Sequence, residues 1–138
     1  MDNNTSVAKF RFDSYLVNDA SIKLTGKSLN ENVQIGIAPS GELVKDKNEF
    51  LLSLKVHIED QNKNLELYMT IVGKFLYTTD NIQHLKPFIC QNAPAILFPY
   101  IRAYITNITA LAGMPSPIII PTLNVQKVGE ELLAKMSL

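Results

Sequence analysis

At 138 residues the chain fits a single domain, 1–138, long enough to bury a core without disulfide or metal staples. Thirteen basic residues cancel thirteen acidic ones, which removes the electrostatic footprint expected of a nucleic-acid binder. A single cysteine, Cys90, excludes an internal disulfide and suits a reducing, cytoplasmic setting.

In chain order, strands come first, over about residues 7–78, and helices with a crossover follow over about 79–138. The opening MDNNTSVAKFRF has no apolar stretch of the signal-peptide kind. AKFRFDSYLVNDASIKLTG predicts a long strand bent near VND, and NVQIGIA a second with Val33, Ile35 and Ile37 on one side. LTGKS, between them, lacks the first glycine of a phosphate loop and reads as a turn. EFLLSLKVHIED alternates with period two, turning Phe50, Leu52, Leu54, Val56 and Ile58 inward; His57 falls on the wet face. NLELYMTIVGKFLYT repeats the pattern across the polar turn DQNKN. With no helix between strands, the sheet is expected to be antiparallel. Fully extended, residues 64–77 would run about 46 Å at about 3.3 Å per residue, longer than a globule of this size, so a bulge is expected and Gly73 is its candidate.

The period then changes. TTDNIQHLKPFI predicts a short helix capped by Thr79 or Asp80 and stopped by Pro87. From Pro87 to Gln126 the only charge is Arg102, a stretch that predicts apolar surface left for a partner. Within it, NAPAILFPYIRAYIT predicts a first turn, a kink at Phe98–Pro99, and a helix with two apolar stripes. Ile101, Ile105, Ile108 and Ala112 form one stripe; Tyr100, Tyr104 and Leu111 form the other, so the helix is expected to need two partners, its own sheet and another subunit. Pro99, Arg102 and Asn107 also argue against membrane insertion. Gly113 ends the helix. MPSPIIIPTLN is a stiff extended connection whose three isoleucines cannot all face inward. A last helix capped by Asn124 carries Leu132 and Leu133 on one side with Met136 near. Nothing assembles into catalytic machinery: His84 and Cys90 lack an oxyanion-like or carboxylate neighbour, and no metal-ligand spacing occurs, so no enzyme and no cofactor are expected.

The run NAPAILFPYIRAYITNITALAGMPSPIIIPTLNV resembles the signature of the SecB family of export chaperones, through Pro94, Leu97, Phe98, Pro99, Tyr100, Arg102, Gly113, Pro115, Ile118, Ile120, Pro121 and Asn124. Weaker likeness reaches back to the first strand, with Asp19 and Ser21 matching. The resemblance implies an α+β fold, a four-stranded antiparallel sheet with helices on one face, assembled as a homotetramer, a dimer of dimers. It implies an ATP-independent holding chaperone for unfolded client polypeptides, in export or guarding one dedicated client such as an antitoxin. The client groove would be lined by Val33, Ile35, Ile37, Met114, Ile118, Ile119, Ile120, Leu123, Leu132, Leu133 and Met136. The oligomer seam would take Tyr100, Ile101, Tyr104, Ile105, Ile108 and Leu111. Departures from the family put delivery to the motor ATPase SecA in doubt: the chain is neutral rather than acidic, Lys23 and Tyr68 replace acids, and it ends at AKMSL without a zinc-binding tail. An oligomeric module binding one specific ligand in the same groove is the alternative reading.

Overall fold

The structure, a computed structural model, describes residues 8–29, 32–122 and 124–138. Four strands, β1 (Lys9–Leu24), β2 (Val33–Val44), β3 (Glu49–Asp60) and β4 (Leu65–Thr78), form one antiparallel sheet in the order β1-β4-β3-β2. Two helices, α1 (Ala93–Leu111) and α2 (Val125–Met136), lie on one face of it, α1 over β4 and α2 over β2. The period-two pattern of β3 and β4 is realised as expected: Phe50, Leu52, Leu54, Val56, Ile58, Leu65, Leu67, Met69 and Ile71 are all buried. No helix among the described residues is long and apolar enough to cross a membrane.

The bulges fall in β1 and not at Gly73. Register shifts insert Asp13 and Asn18, so Phe12 pairs Phe75, Val17 pairs Ile71 and Ala20 pairs Met69. Each insertion flips the side-chain parity. Without them Ser14, Leu16 and Asn18 would follow Phe12 onto the core face; with them Val17, Ile22 and Leu24 pack against the core. The bend near VND is the second bulge. Gly73 is a glycine for a different reason: a Cβ there would lie 2.8 Å from both Leu97 methyls, so its bare backbone lets α1 approach β4. At the start of β1, Phe10 stacks between Phe75 (5.0 Å) and Phe88 (5.3 Å), tying the strand to the first helical turns.

Neither Pro87 nor Pro99 acts as a breaker. The chain winds from a 3-10 turn (Ile82–Leu85) through a π-helical turn (Phe88–Asn92) into α1, with Pro99 inside an uninterrupted helix. Asn81, rather than Thr79 or Asp80, caps this run, its Oδ1 accepting from the Gln83 N–H at 3.0 Å. A π turn shifts the hydrogen-bond ladder from i−4 to i−5, which accommodates a residue that cannot donate. At Pro99 the i−4 carbonyl belongs to Ala95, which is exposed, so water can take the bond that proline cannot supply. Gly113, at φ +91°, ends α1 as read from the sequence.

Candidate functional site: an apolar groove under a clamped crossover

The segment between α1 and α2 is held by two threonines of α1. Thr109 Oγ1, fully buried, accepts from the Ile118 N–H at 3.0 Å and donates to the Ile105 carbonyl at 2.7 Å. Thr106 Oγ1 donates to the Ile118 carbonyl at 2.8 Å. Both backbone groups of Ile118 are therefore satisfied by side chains, and the crossover stays extended without joining the sheet. This fixes the phase of the isoleucine run: Ile120 is 2% exposed, Ile118 half-buried and Ile119 68% exposed. Thr109→Val would leave the partly buried Ile118 N–H without its partner, a cost of about 1 kcal/mol. Its expected signature is faster amide exchange over residues 117–120 with β3 and β4 unchanged.

At the far end α2 is seated by two close approaches. Gly41 of β2 lies under Met136 and Leu132, with the Met136 sulfur 2.8 Å from where a Cβ would stand. Gly129 sits on the Cys90 carbonyl of the π turn, where an added Cβ would meet the oxygen at 2.1 Å. Asn124 caps α2 as expected, accepting from the Lys127 N–H at 3.1 Å, and Lys135 Nζ donates to the Pro39 carbonyl at 2.8 Å.

Two openings flank the crossover. One, about 760 Å3, is bounded by Leu24, Leu29, Ala112, Met114 and Pro115. Its outer wall, the loop after β1, is tied to the β3–β4 turn: Thr25 Oγ1 and Asn64 Oδ1 lie 2.8 Å apart, and Asn64 Nδ2 donates to the Ser28 carbonyl at 3.2 Å. The other, about 340 Å3, brings Ile35 and Ile37 of β2 together with Ile120, Pro121 and Val128. Its rim carries Lys127 and Glu131, one charge of each sign.

The expected groove residues therefore divide. Ile35, Ile37, Met114 and Ile119 are open or line an opening, and Val33, Ile118 and Leu133 are half-buried against the core. Two expectations need correction. Leu132 is fully buried because α2 packs on Gly41, whereas Ile120, turned inward by the Thr106–Thr109 clamp and 2% exposed, still forms part of the wall of the smaller opening. Met136 packs over Gly41 instead of facing the groove. Leu123 lies outside the described residues.

The same division applies to the seam residues. Ile101 and Ile105 are fully buried in the protomer's own core, facing the sheet, and so have nothing to offer a second subunit. Tyr104 and Ile108 are half-buried against that core, whereas Leu111 is 88% and Tyr100 37% exposed. Tyr100 stacks on Tyr15 of β1 at 4.4 Å, and the two rings remain open at one edge of the fold. On the outer sheet face, His57 is not a free solvated side chain: it stacks on Tyr68 at 4.3 Å with rings 5° from parallel, and its Nε2 is 3.3 Å from Glu59. Glu59 also meets Lys63 at 3.4 Å, a hydrogen bond that holds the ammonium pKa above its ordinary value.

Comparison with known proteins decides the family. The model of the family described as preprotein translocase subunit SecB matches residues 8–133. The chain belongs to the SecB family. Among its relatives are an uncharacterized protein of Methanocaldococcus jannaschii, 29% identical over 83% of this chain and 79% of the relative. The protein-export protein SecB of Bartonella quintana is 30% identical over 72% of this chain and 65% of its own length. Among solved structures, the SecB-like chaperone of Mycobacterium tuberculosis, in complex with a ChAD peptide from the HigA1 antitoxin, superposes with a TM-score of 0.68 at 14% identity, covering 83% of this chain and 90% of that one. The fold is therefore SecB-like, and chaperone and protein export are the family's terms.

Proposed function

We propose that the protein is an ATP-independent holding chaperone of the cytoplasm that binds unfolded polypeptides in the groove beneath its crossover. The observation that carries this is Ile119, a large apolar side chain held in solvent by a purpose-built hydrogen-bond clamp beside two apolar openings. Ile119 is exposed between two neighbours that turn toward the core, and it leaves apolar surface beside both openings. A client covering about 600 Å2 of apolar groove at about 25 cal/mol/Å2 would gain roughly 15 kcal/mol gross. Much of that is offset by ordering the client. Methionine and branched aliphatics suit contact with many sequences.

Four protomers would multiply weak sites into useful avidity. The exposed ridge of α1, with Tyr100 and Leu111, is the surface we assign to the homotetramer, as a dimer of dimers. SecA is not among the partners we assign: on the outer sheet face Tyr68, His57 and Lys55 line a shallow hollow with Asp19, and the neighbouring Glu59 is engaged by His57 and Lys63. A dedicated client, as in the antitoxin-peptide complex of the related chaperone, fits a chain without that docking face. No nucleic acid and no membrane enter the scheme.

The test is suppression of aggregation, without nucleotide, of several unrelated unfolding proteins at substoichiometric chaperone. Suppression of all of them supports a holding chaperone; no suppression of any contradicts it, and binding of one compound alone would favour a single-ligand module. Within that assay Ile119→Asp should weaken client binding about tenfold or more, the value of one apolar side chain withdrawn from a groove. The melting temperature should not move, because the side chain is already in water. Unchanged client affinity would remove Ile119 from the groove.

A further inference from the structure

The outer face of the sheet, turned away from the helices and the crossover, holds a feature that the groove does not use. Cross-strand register sets its side chains in rows from β1 to β2. One row runs Ser21, Tyr68, His57, Gly36, and the next runs Asp19, Thr70, Lys55, Ala38. In the first row the Tyr68 and His57 rings stand 4.3 Å apart and 5° from parallel, close to the spacing of about 4.8 Å between neighbouring strands. The stack therefore follows the strands, one ring to each. It stops at β2 because Gly36 has no side chain.

A ring opposite a glycine can lie down over the bare backbone. His57 does not: it leans on Tyr68, and a Cβ built on Gly36 has no atom within 4 Å. Space above β2 is thus left open beside the imidazole, with Gly36 exposed and only the small side chain of Ala38 next to it. The result is a shallow hollow of about 490 Å3. A third flat ring set over Gly36 would continue the stack at the strand spacing.

Charge along β3 gives the hollow a direction. Lys55, His57 and Glu59 follow one another at every second residue on this face. Glu59 is already engaged by His57 and Lys63. Lys55 is exposed and forms no ion pair or hydrogen bond among the described residues. Asp19, in its row, stands two strands away, about 10 Å at the backbone. An anionic group beside the third ring therefore meets attraction at the Lys55 end and repulsion at the Glu59 end.

We propose that Gly36, His57 and Lys55 form an anchoring site for a partner protein that presents an aromatic side chain beside an acidic one. The ring takes the third place in the stack and the carboxylate meets Lys55. An open sheet face with one ring-sized slot suits an anchor residue on a protein surface, because it encloses too little of a small molecule to hold it. The site lies on the face opposite the helices, so it does not depend on the chaperone reading, and a client in the groove leaves it free.

The probe is the peptide acetyl-Gly-Trp-Asp-Gly-amide, titrated into the isotopically labelled full chain and followed by amide chemical shifts. Acetyl-Gly-Trp-Lys-Gly-amide and acetyl-Gly-Leu-Asp-Gly-amide are the comparisons. Ring-current shifts at the Gly36, Ala38 and His57 amides should saturate at millimolar peptide. The Trp-Asp peptide should bind about threefold tighter than either comparison, the value of one stacked ring or one exposed ion pair. Gly36→Val fills the slot, and because the space is open it should abolish those shifts with the fold unchanged. Lys55→Glu should reverse the order of the Trp-Asp and Trp-Lys peptides. Equal affinity for the three peptides, shifts that persist in Gly36→Val, or no shift at those amides would overturn the proposal. Shifts at Gly36 and His57 that grow with protein concentration alone would give the slot to a second copy of the chain and overturn it too.

Discussion

Gly129→Ala is expected to lower stability by about 2–3 kcal/mol, although replacing a mid-helix glycine by alanine normally gains about 1 kcal/mol. The sign reverses because the new methyl would meet the Cys90 backbone carbonyl at 2.1 Å. That carbonyl belongs to the π turn that leads into α1, and no rotamer can move it. Pro94, four residues on, has no N–H to give it, so the oxygen is turned toward α2 and the bare Cα of Gly129 fills the space. Relief requires α2 to lift, which opens the contacts of Leu132 and Met136 over Gly41. At roughly 3 °C per kcal/mol, thermal unfolding should fall by about 6–9 °C. Gly36→Ala is the control, since a Cβ there has nothing within 4 Å. A rise in melting temperature for Gly129→Ala would show that α2 is not seated on the π turn.

Leu111→Glu is the second large effect, and it acts on assembly instead of folding. Leu111 is 88% exposed at the end of α1, so the protomer loses almost nothing when it becomes charged. In a tetramer built on that ridge, symmetry would bring several copies of the new carboxylate into a seam with few compensating charges, since Arg102 alone carries charge between Pro87 and Gln126. Light scattering should report a mass at or below the dimer, with circular dichroism unchanged. A tetramer that survives would move the seam elsewhere, most simply to the Tyr15–Leu16 edge. Tyr104→Glu would also perturb assembly, but that ring packs against the protomer's own core, and loss of folding would confuse the result.

Much of the sheet was legible because one face is buried. Alternation over β3 and β4 leaves only pairings of one parity that keep Phe50, Leu52, Leu54 and Leu67 out of water. The bulges of β1 were only half legible: the bend at VND showed, but the parity flip at Asp13 needs the partner strand to be seen. Gly73 was misread, and the role of Gly129 was not legible, for a common reason. A glycine's lack of a side chain looks the same in sequence whether it supplies backbone freedom, weakens a helix or admits a neighbour, and here both admit a neighbour. The prolines misled because a helix that passes through a π turn and presents Ala95 to solvent can hold both Pro87 and Pro99.

The groove was legible in kind but not in phase. An extended Ile118–Ile120 must alternate, yet which isoleucine faces out depends on Thr106 and Thr109, a pair three apart on one helix face. Read forward, two threonines at that spacing in an apolar, almost uncharged helix were the available signal. Ile101, Ile105 and Leu132 were assigned to surfaces because a helical stripe marks a contact without saying with what, and the protomer's own sheet claims all three.

We propose above that the clamped crossover holds apolar surface open for unfolded polypeptide. Isothermal titration of the intact protein with reduced, carboxymethylated α-lactalbumin, repeated across temperatures, tests it most directly. Saturable binding with a negative heat-capacity change is expected, weakened by Ile119→Asp and unaffected by nucleotide. Absence of binding, or binding with no heat-capacity change and indifferent to Ile119, would contradict it.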